Sequence, residues 1–151
     1  MSRRRPGTLL PRFLGLLFLT MAAGQLSALA GFRAILATYD FGDPPLLAVL
    51  LLAGELLAGG WLLFAPRQRP IVPAVILAGT SVLWSLLAAQ AFVRGLVVPN
   101  CGCFGIYLGQ PLRWWVLLQD ALLLLYSGLL LNRAPRRRSR DAWSRRTVLL
   151  R

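Results

Sequence analysis

The sequence predicts an all-α integral membrane protein, a four-helix bundle with both termini in the cytoplasm. Three observations predict it. The chain contains four apolar stretches of about 20 residues, the length that crosses a bilayer. Its mean hydropathy is +0.63, and only 15% of its 151 residues are charged. All 17 basic residues are arginines, 16 of them outside the apolar stretches and Arg113 at the edge of the fourth, giving a formal net charge of +12. Hydrocarbon offers no water to satisfy backbone N–H and C=O groups, so stretches of this kind must be helices.

The first stretch runs from Phe13 to Ala30, after the basic lead Arg3, Arg4, Arg5 and Arg12. The second, Pro45 to Ala65, is opened by Pro44 and Pro45, where a missing N–H is harmless, and closed by Pro66. The third covers Ile71 to Val93 and the fourth Leu112 to Leu131. Gly54, Gly59 and Gly60 in the second, and Gly79, Thr80 and Ser81 in the third, are small residues of the kind that lets membrane helices approach closely. The organisation read from this is a basic N-terminus over 1–12, a membrane domain over 13–131, and a basic tail over 132–151, expected to be irregular and drawn to anionic headgroups by ~1 kcal/mol per arginine.

Arginine counting sets the direction. Four arginines precede the first span, two (Arg67, Arg69) lie between the second and third, and eight follow the fourth, which puts 14 on one face against Arg33, Arg94 and Arg113 on the other. The positive-inside rule then places both termini inside and the 31–44 and 94–111 connections outside. The beginning also reads as a secretory signal peptide, with an apolar core from Phe13 to Ala23 and an A-x-A-like run at Ser27-Ala28-Leu29-Ala30-Gly31. Cleavage there would remove one helix and leave the other three in the same orientation.

A basic protein of this size raises the question of nucleic acid, but arginines segregated from membrane-length apolar runs serve topology, and no nucleic-acid role is expected. The chain has no histidine, which excludes Ser-His-Asp and Cys-His nucleophiles, histidine-ligated haem and HExxH zinc chemistry. The chemistry that remains centres on Pro99-Asn100-Cys101-Gly102-Cys103-Phe104-Gly105, which holds the only two cysteines of the chain. Three readings are open. As a structural staple, a disulfide closing three residues removes only about 1.6 kcal/mol of unfolded-chain entropy, against ~3 for a 15-residue loop. As a metal site, two sulfurs fall short of the usual four ligands and a second subunit would be required. As a redox pair on an oxidising face, Cys101 and Cys103 would cycle through a disulfide by exchange with an incoming thiolate. Arg94 and Arg113 flank the loop and are expected to favour a thiolate.

Glu55 lies ten residues into the second span, about 15 Å deep and near the midplane. An ionisable group there is a functional candidate by default. Gln25, Gln90 and Asp120 give each other span one polar group, so an interhelical hydrogen-bonded cluster stands beside a proton path or quinone-headgroup site. Arg33 is placed to pair with one of the acids, and Trp114 and Trp115 are placed as interfacial anchors.

These residues resemble the MauE family of bacterial methylamine-utilisation membrane proteins, similar in turn to DoxX-like four-helix proteins. The resemblance rests on Gly31-Phe32-Arg33 and Tyr39, on Glu55 with Leu56-Leu57-Ala58-Gly59, and on Cys101-Gly102-Cys103-Phe104-Gly105 followed by Trp114 or Trp115 and Asp120, and it covers residues 12–132. It implies a multi-pass inner-membrane protein that assists maturation of a disulfide-rich extracytoplasmic client of the methylamine dehydrogenase type. A thiol protein or thioredoxin-like protein would be its partner, with the bilayer as its solvent. The family often carries lysine where Arg33 stands and arginine where Asp120 stands, so no family role passes to Asp120. The expectation is a thiol–disulfide redox or assembly factor using Cys101 and Cys103, with Glu55 as an intramembrane acid and a quinone as a possible acceptor. A non-enzymatic membrane subunit or chaperone and a small-solute transporter built on Glu55 are the alternatives.

Overall fold

The computed structural model describes the backbone of residues 9–64 and 71–149 and the side chains of 9–64 and 71–132. Arg3, Arg4, Arg5, Arg67 and Arg69, and the side chains of the tail arginines, lie outside the described residues. Five helices follow one another: α1 (Leu9–Ser27), α2 (Leu29–Ala37), α3 (Pro44–Phe64), α4 (Ile71–Val93) and α5 (Trp114–Leu149). Four of them carry stretches long and apolar enough to span a bilayer: Leu9–Ser27, Pro44–Phe64, Ile71–Val93 and Trp114–Asn132.

Two features differ from the sequence reading. The first span does not run unbroken to Ala30. The chain leaves helical geometry at Ala28 (φ −141°, ψ 55°) and turns into α2, a nine-residue helix that starts inside the expected span and runs on into the segment expected to be a loop. The tail, expected to be irregular, continues α5 as far as Leu149; arginine is a good helix former, so a charge run need not end a helix.

Helix ends have local causes. Asp43 caps α3, its carboxylate Oδ2 accepting from Leu46 N at 3.0 Å and its carbonyl from Leu47 N at 2.9 Å, and Pro44 and Pro45 occupy the first turn where no N–H is required. α4 ends in a Schellman turn: Gly95 takes φ +66°, Leu96 N donates to Ala91 O at 2.9 Å, and Gly95 N donates to Phe92 O at 3.1 Å.

α3 lies against α1, α2 and α4, and α5 packs on α4. The α1–α3 crossing is close because Gly15 and Gly59 face one another, and a Cβ on Gly15 would stand 2.8 Å from Gly59 O. Gly54 meets Thr80 across α3 and α4, whereas Gly60 and Gly79 have open space where a Cβ would be, so the expected close approach at those two glycines does not occur. Two apolar clusters fill the interior. One, at the end of the bundle that carries α2 and the 94–113 connection, contains Phe32, Leu36, Leu51, Trp84, Leu87 and Val98. The other, toward the opposite end, contains Leu14, Phe18, Ala58, Leu62 and Leu77. The exterior stays apolar, with Leu46, Val49, Leu50, Leu57, Val75, Leu86, Leu122 and Leu125 exposed. Such a surface is stable only against lipid.

Candidate functional site

The site is assembled by the 94–113 connection, which folds back over the helix ends. Cys101 N donates to Gln110 O at 2.7 Å and Leu112 N to Val98 O at 3.0 Å, closing the loop on itself. Asn100 clamps the turn from both sides: its Oδ1 accepts from Gly102 N at 3.0 Å and its Nδ2 donates to Gly105 O at 3.0 Å. Gly102 (φ +83°) and Gly105 (φ +65°) adopt left-handed backbone that only glycine accepts without strain. The loop is seated on α1 by direct backbone contact. A Cβ on Gly24 would stand 2.7 Å from Phe104 O, and one on Gly105 would stand 2.5 Å from Gly24 O.

This seating brings Cys101 Sγ and Cys103 Sγ to 3.1 Å of one another, in hydrogen-bond contact as free thiols. Cys101 is fully buried and its carbonyl accepts from the Tyr39 hydroxyl at 2.9 Å. Cys103 is partly exposed, and its side chain lines an internal slot. The contact divides the two thiols. Once ionised, the Cys101 sulfur accepts from the Cys103 thiol, which holds Cys101 below the usual thiol range although burial opposes it. The same contact, with burial, pushes Cys103 well above that range. Tyr39 is pushed above the usual phenol range by burial and then by the neighbouring cysteines, so it stays a hydroxyl donor. The flanking arginines do not tune the thiols as expected. Arg94 is engaged by Asp40 at 2.6 Å, and Arg113 lies over the Trp115 ring at 5.1 Å from its centroid.

Beneath the loop lies Glu55, fully buried. Its Oε1 accepts from Trp84 Nε1 at 2.9 Å and from Gln25 Nε2 at 3.2 Å. The same Gln25 nitrogen donates to Cys103 O at 3.1 Å, tying the intramembrane carboxyl to the dithiol loop through one side chain. Glu55 Oε2 and Gln25 Oε1 are buried with no hydrogen-bond partner among the described residues. Only part of the expected four-helix polar cluster forms. Gln25 and Glu55 meet, but Gln90 turns away to donate to Tyr39 O at 2.9 Å, and Asp120 borders the slot with Cys103 instead. Arg33 is exposed, and among the described residues the only ion pair is Arg94–Asp40, so the expected pairing of Arg33 with an acid does not occur. Among the described residues no group of three or more Cys, Asp, Glu or His converges, which leaves the two sulfurs as a pair.

Sequence reasoning missed Trp84, Asn100 and Gly24, and used Tyr39 only as part of a resemblance. A signal existed for Trp84, since an indole N–H at membrane depth requires an acceptor and Glu55 is the acid in reach. None existed for Gly24, whose role depends on a loop about 80 residues further along the chain.

The fold and site together define a multi-pass helical membrane protein with a vicinal dithiol held over a buried carboxyl. Within that class, the chain belongs to the MauE family: the model of the methylamine utilisation protein MauE matches residues 4–133. Neither the curated proteins nor the solved structures contain a match to the chain.

Proposed function

We propose that this chain is a thiol–disulfide redox factor of the bacterial inner membrane that supports assembly of an extracytoplasmic protein, of the methylamine dehydrogenase type by family resemblance. The observation that carries the reading is the 3.1 Å approach of two free thiols in a loop built around them. Its sequence-level organisation is the basic N-terminus over 1–12, the membrane domain over 13–131 and the basic tail over 132–151, with both ends cytoplasmic by the arginine count and the dithiol loop on the extracytoplasmic side. There disulfides persist.

In the oxidised state a client thiolate attacks one sulfur of the Cys101–Cys103 disulfide, forming a mixed disulfide and releasing the other sulfur as thiolate. The client's second thiolate then attacks the mixed disulfide. The client leaves as a disulfide and the pair is left reduced, two electrons richer. Glu55, bonded through Oε1 alone, serves proton exchange through Oε2.

Differential alkylation of acid-quenched cells tests this. A substantial disulfide fraction at Cys101–Cys103 that shrinks when a reduced client accumulates supports it. Full labelling of both cysteines without reductant removes the oxidising role. A topology reporter fused near residue 100 tests the side of the membrane, and a cytoplasmic signal defeats the scheme. A docking subunit without redox chemistry is favoured by the exposed Ile106, Tyr107 and Leu108 beside the dithiol. Full client maturation by a Cys101→Ser, Cys103→Ser double variant would select that second reading.

A further inference from the structure

α1 and α5 each pack on other helices, yet among the described residues their backbones do not come together. Between them runs a slot of about 360 Å³, within the range of small-molecule sites. One wall is Leu10, Leu14, Leu17 and Met21, a single face of α1 extending about 16 Å at 1.5 Å per residue. The other is Leu122, Leu123 and Tyr126 of α5. These walls lie within the two membrane spans, and Leu10 and Leu122 at the rim are exposed, so the slot opens to lipid. Its polar end is formed by Cys103, Gln110, Gln119 and Asp120, with Trp84 and Phe104 alongside. A long apolar channel ending at a thiol and a carboxyl fits a molecule with a lipid tail and a flat, redox-active polar head.

We propose that the α1–α5 slot binds a prenylated quinone, its ring at Cys103 and its tail between the leucines of α1 and α5, and that this quinone reoxidises the Cys101–Cys103 pair. The inference rests on the redox reading above and names the acceptor which that reading requires. Cys103, the thiol that lines the slot, passes its proton to the Cys101 sulfur 3.1 Å away and adds through its own sulfur to a ring carbon of the quinone, forming a C–S bond. Cys101 Sγ, 3.1 Å away, then attacks Cys103 Sγ. The S–S bond forms, the C–S bond breaks and its electron pair stays on the ring. The two thiol protons end on the two ring oxygens, so dithiol plus quinone becomes disulfide plus quinol. Asp120, among the described residues the only carboxyl lining the slot, stands where a proton must pass to a ring oxygen.

The test uses the reduced full chain in phospholipid nanodiscs, decylubiquinone as acceptor, and an azido-ubiquinone as photolabel. The expected result is one quinol formed per pair of thiols lost, with label recovered on α1 and α5 peptides. Leu10→Trp and Leu122→Trp change exposed residues, so both variants fold while narrowing the slot. Each is expected to slow quinone reduction at least about tenfold while leaving the reaction of the dithiol with oxidised glutathione unchanged. If glutathione disulfide oxidises the pair but decylubiquinone does not, and no label appears in the slot, the quinone site is refuted while the redox reading stands. Label in the slot without quinol formation, or label fully displaced by added phospholipid, also overturns it, since the slot would then be a lipid groove. Cysteines inert to both oxidants remove the redox reading itself.

Discussion

Replacing Gly24 with alanine places a methyl carbon 2.7 Å from Phe104 O and 3.1 Å from its carbonyl carbon. Both are backbone atoms and cannot rotate aside, so the dithiol loop must lift from α1, at a cost of about 1–3 kcal/mol for an overpacked contact. Gly105→Ala presses the same seat from the other side, 2.5 Å from Gly24 O, and adds the strain of a left-handed residue at φ +65°; together these cost about 2–5 kcal/mol. Two controls separate the causes. Gly95 has φ +66° but open space around it, so Gly95→Ala isolates the strain at about 1–2 kcal/mol. Gly109 has neither a positive φ nor a neighbour within 4 Å, and Gly109→Ala is expected to be neutral or stabilising by up to about 1 kcal/mol. The assay is reversible unfolding in mixed micelles, paired with the alkylation rate of the buried Cys101. A local opening made easier by 2 kcal/mol raises that rate roughly 30-fold. The Gly24→Ala, Gly105→Ala double variant should cost less than the sum of its parts, because one displacement relieves both clashes. If Gly24→Ala and Gly105→Ala behave like Gly109→Ala in both measurements, the loop is not seated on α1.

Trp84→Phe removes the 2.9 Å indole donor to Glu55 Oε1 and should destabilise the bundle by about 1–2 kcal/mol, with a double-mutant cycle against Glu55→Leu giving clear coupling. Tyr39→Phe loses the 2.9 Å bond to Cys101 O and should cost about 1 kcal/mol by unfolding and raise Cys101 alkylation. In the reduced protein, thiolate absorbance near 240 nm should rise by one equivalent below the ordinary thiol range as Cys101 ionises, with the second equivalent withheld until well above it. Cys103→Ala removes the donor that stabilises the Cys101 thiolate and should move the first step upward in pH. Arg94→Ala breaks an ion pair whose side chains are 45% and 75% exposed, and unfolding should change by less than about 1 kcal/mol.

The four spans were legible because hydrocarbon imposes one solution on the backbone, and the residues that impose it are consecutive. The dithiol was legible for a related reason: Cys101 and Cys103 stand two apart, so their meeting needs only a local turn and glycines to make it. The breaks in that legibility are physical as well. α2 follows α1 with only a non-helical Ala28 between them and no proline, so the apolar pattern ran past the true boundary and the remainder read as loop. Arg33, Arg94 and Arg113 look equivalent in sequence as cations near the acids and thiols. Their fates were decided by Asp40 across 54 residues and by the adjacent Trp115 ring, while Arg33 faces away from the interior.

The least legible part is the path from the loop into the membrane. Gln25, Glu55, Trp84 and Cys103 come from three helices and one loop; in sequence Gln25 and Glu55 could be offered only to a general polar cluster, Cys103 only to Cys101, and Trp84 to nothing. Only the crossing of α1 on α3 at Gly15 and Gly59 sets Gln25 between the Glu55 carboxyl and the Cys103 carbonyl. That position gives Gln25 a consequence no reading of its own span contains. Gln25→Leu keeps the volume roughly constant but removes the donor from both oxygens at once. Glu55 then keeps only Trp84, and Cys103 O faces an apolar neighbour. If carboxyl and dithiol act as one unit, loss of the bridge should alter the pH dependence of dithiol reoxidation as well as stability, whereas Thr80→Val, equally buried in the same bundle and bonded only within its own helix at 3.0 Å, should alter stability alone. An unchanged pH profile in Gln25→Leu would mean that Glu55 holds the helices together and takes no part in moving protons to or from the sulfurs.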